Sequence, residues 1–228
     1  MAASQNHGFK NEDQVVPSRY PGAPRKGGTS EYDVPAGFSL LSAHPSQIKA
    51  CTASKETRAR VMFGDAMRNF DRQIDFETFI SDWTQQGAIK ALRKCVHIVW
   101  SNKTWRKLFG TAKRKDILAF DRRIKAVPLG RHRALVKAIH ADMRAYGLAH
   151  KMIVRLEAKI STSDSQRRLQ MSCMLDHLFA VANTDKSMIV LRLDPGACAA
   201  LGLPLSMDSP PRERRSAADR QGAAILAS

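Results

Sequence analysis

The spacing of apolar residues between positions 52 and 204 is the feature that most limits how this chain can fold. In the segments 111–127 and 131–146, apolar side chains recur every three or four positions, which places them on one side of an α-helix. These residues are Ile117, Phe120, Ile124 and Val127 in the first segment and Leu135, Ile139, Met143 and Tyr146 in the second. Similar spacing over 54–70, 75–83, 148–160 and 165–182 predicts a mainly α fold with a compact helical body.

Two short segments depart from this pattern. The segment 187–193 is rich in β-branched and aliphatic residues, which is typical of a strand. The run 95–100 fits the end of a helix and a buried strand equally well. A strand is not stable without a partner, and that partner is 95–100, an end of the chain, or a second molecule. We therefore expect at most one small β element, at about 187–193, with 95–100 as the second candidate.

The two ends of the chain differ from this body. Five prolines and five glycines interrupt the first fifty residues, and both residue types oppose regular helices and strands. The segment from 206 onward is polar and then alanine-rich. We predict a flexible Pro/Gly-rich arm over 1–51, a helical body with a basic face over 52–204, and a disordered tail over 205–228.

The positive charge is concentrated in the body. The chain has a formal charge of +16, and between Lys103 and Lys137 it has twelve basic residues and two acidic ones. The first fifty residues have five basic and four acidic residues, so a flexible cationic arm is not the source of the charge. Like charges at helical neighbour spacing destabilise a helix, and a strongly basic surface of this kind indicates an anionic partner.

The predicted anion-binding residues belong to the helices over 111–127 and 131–146. Basic residues on the second helix follow helical spacing on the side opposite its apolar residues. We expect contacts to phosphate from Lys113, Arg114, Lys115, Arg122, Arg123, Arg131, Arg133, Lys137 and Arg144. Such contacts carry little base selectivity. The first hypothesis is therefore a non-enzymatic, sequence-nonspecific nucleic-acid-binding protein, with RNA favoured, in a structural or packaging role.

Other hypotheses stay open. The same face suits an anionic membrane surface, as in a matrix-like scaffold that self-associates as a homo-oligomer. In its layout of arm, basic helical body and polar tail, the chain resembles small basic viral matrix and nucleocapsid proteins, although no motif is shared. Apolar pieces of the arm are candidate contacts for a protein partner. Trp100 and Trp105 have the spacing of core residues, with stacking on bases as the alternative.

Catalytic and metal motifs are scarce. The sequence has no phosphate-binding loop, dinucleotide fingerprint, nucleophile elbow or HExxH motif, so we expect no enzyme activity and no cofactor, with a site of scattered residues as the last alternative.

The cysteines, predicted to be reduced and buried, are Cys51, Cys95, Cys173 and Cys198. Zinc would need Cys95 and His97 to meet Cys173 and His177.

Without a signal-peptide pattern or a long apolar run, we expect an intracellular protein, cytoplasmic or nuclear, that does not span a membrane.

Overall fold

The computed structural model describes residues 3–24, 32–53, 58–86, 89–128, 132–160, 167–186 and 188–208. Within these ranges the helices are α1 (Ala3–Arg19), α2 (Ala66–Phe70), α3 (Asn102–Arg106), a 3₁₀ turn (Lys107–Phe109), α4 (Arg114–Lys125), α5 (Arg133–Ala149), α6 (Leu175–Ala182) and α7 (Pro195–Ala200). The strands are β1 (Ser46–Ala53), β2 (Arg60–Asp65), β3 (Phe76–Gln86), β4 (Ile89–Trp100), β5 (Arg155–Ile160), β6 (Arg167–Met174), β7 (Ile189–Leu193) and β8 (Ser206–Asp208). None of the described helices is long and apolar enough to cross a membrane.

The prediction of a mainly α fold was wrong, because the described strands form two sheets. Sheet A has the strand order β1-β3-β4-β7, with β8 also paired to β4, and sheet B has the order β2-β6-β5. Strand β1 runs parallel to β3, and the other pairs are antiparallel. The two predicted β candidates do pair, as β7 and the end of β4, but they belong to a larger sheet.

Strand β3 was expected as a short helix because its apolar residues imitate helical spacing. Phe76, Phe79, Ile80 and Trp83 stand at i, i+3, i+4 and i+7. Sheet A is covered on both faces, however, and a strand buried on both sides loses the alternation of apolar and polar residues. Phe76 and Ile80 face one core, and Phe79 and Trp83 face the other, as the alternation of side chains along a strand requires.

Sheet B replaces parts of three other expected helices. In the segment 54–70 only Ala66–Phe70 is helical among the described residues. Val61 and Phe63 of β2 are buried while Met62 between them is 38% exposed, which is the alternation of a half-buried strand. In the segment 148–160 the helix α5 ends at Ala149 and β5 follows, and in 165–182 strand β6 precedes α6.

The segment predicted as a flexible arm is part of the fold wherever it is described. Helix α1 packs on β1, β1 begins at Ser46, and Val15, Tyr20 and Val34 are buried. The prediction failed because it weighed local propensity, whereas most helices in proteins are stabilised by tertiary packing. Residues 25–31 of the arm and 209–228 of the predicted tail lie outside the described residues, and 206–208 form β8.

The two faces of sheet A carry separate hydrophobic cores. The larger core lies toward sheet B and includes Trp105, whose ring meets Phe63, Phe76 and Trp100 edge-on at centroid distances of 5.2, 4.8 and 5.2 Å. Trp100 and Trp105 are fully buried, which confirms their prediction as core residues. The smaller core holds residues of α1 and α7. In α5 the apolar prediction is only partly right, because Leu135 is 45% exposed.

Candidate nucleic-acid interface

Helices α4 and α5 form an antiparallel pair beside sheet B. Near the start of α4, Asp116 accepts a hydrogen bond of 3.0 Å from the hydroxyl of Tyr146, which lies near the end of α5. Toward the other end of the pair, Arg123 donates to Asp142 at 2.6 Å. Helix α4 packs on the central strand β6 and α5 on the edge strand β5. The helices are therefore held in place on one side and face solvent on the other.

The predicted phosphate-binding residues lie on the solvent side of this pair. Arg131 is outside the described residues, and the other eight are exposed. Arg114 donates three hydrogen bonds of 2.8–3.0 Å to Asp71, and Arg123 is paired with Asp142. The other six have no ion-pair partner among the described residues, and they are Lys113, Lys115, Arg122, Arg133, Lys137 and Arg144.

The exposed cations form two rows instead of one continuous face. Successive residues of an α-helix are about 100° apart, so Lys115 and Arg122 point in nearly the same direction from α4. On α5, Arg133, Lys137 and Arg144 lie within about 40° of one another. We call these sets the α4 row and the α5 row.

A neutral strip separates the two rows. Asp142 marks the side of α5 that faces α4, and it lies about 140–180° around the helix from the α5 row. The α5 row therefore points away from α4, past the edge strand β5. The strip between the rows consists of exposed alanines, namely Ala134, Ala138, Ala141 and Ala145.

The helix dipoles add to the positive potential of both rows. Lys115 lies in the first turn of α4, and Arg133 opens α5, whose first turn has no acidic residue. The amino end of a helix carries a partial positive charge and favours anions, with an effect of about 0.3–1 kcal/mol per charge. Cations at these positions therefore oppose helix stability, and a bound anion would offset that cost.

A second positive surface, not predicted from the sequence, lies on the other face of sheet B. The register of β5 and β6 places Arg155 opposite Ser172 and Lys159 opposite Arg168, and Arg60 joins them from β2. This cationic sheet face consists of Arg60, Met62, Asp65, Arg155, Glu157, Lys159, Arg168, Gln170, Ser172 and Met174. In the sequence, Arg155 and Lys159 are four positions apart, a spacing that fits a helix as well as a strand, so the face could be found only after 155–160 was known to be a strand.

A buried polar network lies elsewhere, on the face of sheet A that α1 covers. Glu77 Oε2 is 2.7 Å from His97 Nε2 and accepts from the Ser46 hydroxyl at 2.8 Å, and Glu77 Oε1 accepts from Ser42. The Tyr20 hydroxyl is 3.5 Å from His97 Nε2. Burial acts to raise the pKa of Glu77, but hydrogen bonds from His97 and from serine hydroxyls lower it below its usual range.

This network is closed to solvent, with Glu77 0% and His97 1% exposed. A substrate cannot reach groups buried to this degree without movement of the covering segment. The network instead ties strands β1, β3 and β4 to the turn after α1.

The candidate zinc ligands do not meet. Cys95 and His97 lie on the face of sheet A near α1, Cys173 lies in the core beside sheet B, and His177 is exposed. Within the described ranges, no three His, Cys, Asp or Glu side chains are grouped so as to hold a metal ion. All four cysteines are free and buried, as predicted, and burial raises the pKa of the Cys173 thiol to about 12.

The candidate site on the described surface is therefore the set of exposed cations that have no ion-pair partner among the described residues. Comparisons with known protein families, with characterised proteins and with solved structures find no match to this chain.

Proposed function

We propose that the chain binds nucleic acid through the α4 and α5 rows, with little base selectivity and without catalysing a reaction. One observation carries the proposal: the five exposed cations of the two rows, and Lys113 just before α4, have no ion-pair partner among the described residues. Cations held on rigid elements without acidic partners favour a polyanion, because each contact with a phosphate releases counterions from it.

The shape of the α5 row favours a repeating anion over a small one. From Arg133 to Arg144 the row extends about 16 Å along the helix axis. Over that length a nucleic-acid duplex presents about ten phosphate charges. A small anion would need several cations that converge on one point, whereas the side chains of this row are spread along a line.

The test uses the full chain and a variant, K137Q/R144Q, that removes two charges from the α5 row. Binding to a labelled mixed-sequence single-stranded RNA is measured by fluorescence anisotropy over a series of salt concentrations. Each phosphate contact adds about 0.7 to the slope of log affinity against log salt for a single strand, so the slope should fall by about 1.4. At 0.1 M salt the affinity should fall about 25-fold if binding at 1 M salt is unchanged.

The matched control is K10Q/K186Q, which removes the same charge from exposed positions outside both rows and should leave the slope unchanged. An equal slope for the wild type and K137Q/R144Q would contradict the proposal. Vesicles containing phosphatidylserine are tested beside the RNA. Binding to these vesicles without binding to RNA would assign the rows to an anionic membrane surface and would also contradict the proposal.

A further inference from the structure

We infer that the cationic sheet face is a second part of the same interface and that it takes a single strand of nucleic acid. This inference rests on the proposed function and adds to it the type of nucleic acid and a set of residues on strands. Three observations carry it: the charge of the face, its shape, and its position beside the α5 row.

The face has an excess of positive charge. It has four cations and two carboxylates, those of Glu157, which is 3.2 Å from Arg60, and of Asp65, which lies opposite Gln170. Arg155 and Lys159 have no ion-pair partner in the part of the chain that the structure describes. The Asp65 carboxylate accepts a hydrogen bond of 2.8 Å from a backbone amide at the start of α2, and four cations against two carboxylates still leave the face positive.

The shape of the face favours a single strand over a duplex. Three strands about 4.8 Å apart span about 10 Å before their side chains are counted. The major groove of a duplex is about 12 Å wide and admits one helix or a two-stranded ribbon, so this sheet is too wide to enter it. A single strand can lay unstacked bases on an open sheet face, where the guanidinium planes of Arg155 and Arg168 offer stacking partners. Met62, 38% exposed on the same face, adds apolar contact.

The face is adjacent to the α5 row. Helix α5 packs on β5, which is an edge of sheet B over the described residues. The α5 row points past that edge, and Arg155 and Lys159 project from the opposite face of the same strand. A chain of phosphates can therefore pass from the row to the sheet around a single strand edge.

The test compares the variants R155Q/K159Q, K137Q/R144Q and K10Q/K186Q as full-length proteins. The probes are an oligouridylate of about 12 nucleotides, within the range of site sizes for single-strand binding surfaces, and a duplex of the same length. For R155Q/K159Q the salt slope with the oligouridylate should fall by about 1.4, while the slope with the duplex should stay at the wild-type value.

A second measurement does not depend on mutation. Acetylation of lysines in the wild-type protein, read by mass spectrometry, should be suppressed at Lys159 when the oligouridylate is bound and unchanged at Lys10. Thermal melting of R155Q/K159Q by circular dichroism checks that the variant is folded. If it is not folded, the protection of Lys159 in the wild-type protein decides whether the sheet face binds the oligouridylate.

The outcomes separate this inference from the proposed function. In one outcome the slope of log affinity against log salt falls for K137Q/R144Q, stays at the K10Q/K186Q value for R155Q/K159Q, and Lys159 is not protected from acetylation. The sheet face is then not part of the interface, and the proposed function stands. If K137Q/R144Q also matches the control, the proposed function itself fails. Cations on edge strands also prevent pairing with other chains. Self-association of R155Q/K159Q with unchanged RNA binding would assign them that role and overturn the inference.

Discussion

The buried carboxylate of Glu77 provides the sharpest test of the fold. Replacing it with glutamine (E77Q) keeps the size of the side chain but removes the charge and one of its two acceptor oxygens. In the wild type these oxygens serve His97, Ser46 and Ser42. In the variant, the amide NH₂ group would meet donors where an acceptor is needed, at a site with no access to water.

The expected loss of stability follows from the burial of the pair. Leaving a buried hydrogen-bond donor without its acceptor costs about 1–3 kcal/mol, and more where the acceptor was charged. Glutamine retains one acceptor, so we expect about 3 kcal/mol for E77Q. For a chain of this length each kcal/mol corresponds to about 2–4 °C, and the melting temperature should fall by about 6–12 °C.

The direction of the pKa shift of Glu77 determines at which pH its ionisation stabilises the fold. The pKa of Glu77 is lower in the folded protein than its ordinary value of 4.5. Its ionisation therefore stabilises the fold above the ordinary pKa, and this contribution is lost as the pH falls through the lowered value. The gap between the wild type and E77Q should be full at pH 7 and should shrink below about pH 4.

The assay is thermal unfolding at pH 7 and at intervals down to pH 3. The control is E157Q, the same substitution in a partly exposed pair with Arg60, which should cost about 0.2–1 kcal/mol. If E77Q and E157Q lower the melting temperature equally at pH 7, or if the E77Q gap does not change with pH, the reasoning about the buried network is refuted.

Two other measurements test the local geometry. Gly110→Ala should cost about 1–3 kcal/mol in unfolding experiments, because Gly110 has a φ of 54° and an added Cβ would lie 2.1 Å from the His150 carbonyl oxygen. The control Gly147→Ala, at a helical position with open space around it, should be neutral or stabilising, and an equal loss in both variants would contradict the close contact. A thiol reagent such as dithionitrobenzoate should label the four buried cysteines slowly in the native protein and rapidly in guanidinium, so rapid native labelling would count against their burial.

How much of the fold could be predicted depended on whether an element is covered on one side or on both. Helix α4 packs on one side only, so Ile117, Phe120 and Ile124 keep their helical period, and all three are buried as predicted. Strand β3 is covered on both sides, so its apolar residues carry no strand period. The N-terminal segment failed for another reason, because the contacts that order α1 come from distant strands and not from its own composition.

The candidate site was also only partly predictable from the sequence. The exposed cations of α4 and α5 were found from their spacing, because both helices are amphipathic. The spacing could not show which of these cations have an acidic partner in the folded protein. Arg114 is neutralised by Asp71, 43 positions away, and Arg123 by Asp142, 19 positions away, so the sequence could not separate these two from the other predicted residues.

The cationic sheet face shows why counting charge along the chain was insufficient. A window that slides along the sequence finds cations that are close in number, such as those between Lys103 and Lys137. Arg60 and Arg168 are more than a hundred positions apart, yet the antiparallel pairing of β2, β6 and β5 brings them onto one face. Strand register therefore decides how much of the +16 charge lies on one face of the protein. The α5 row and the sheet face both lie beside β5, so under the proposed function a variant that removes only the helical cations should keep part of its affinity for RNA.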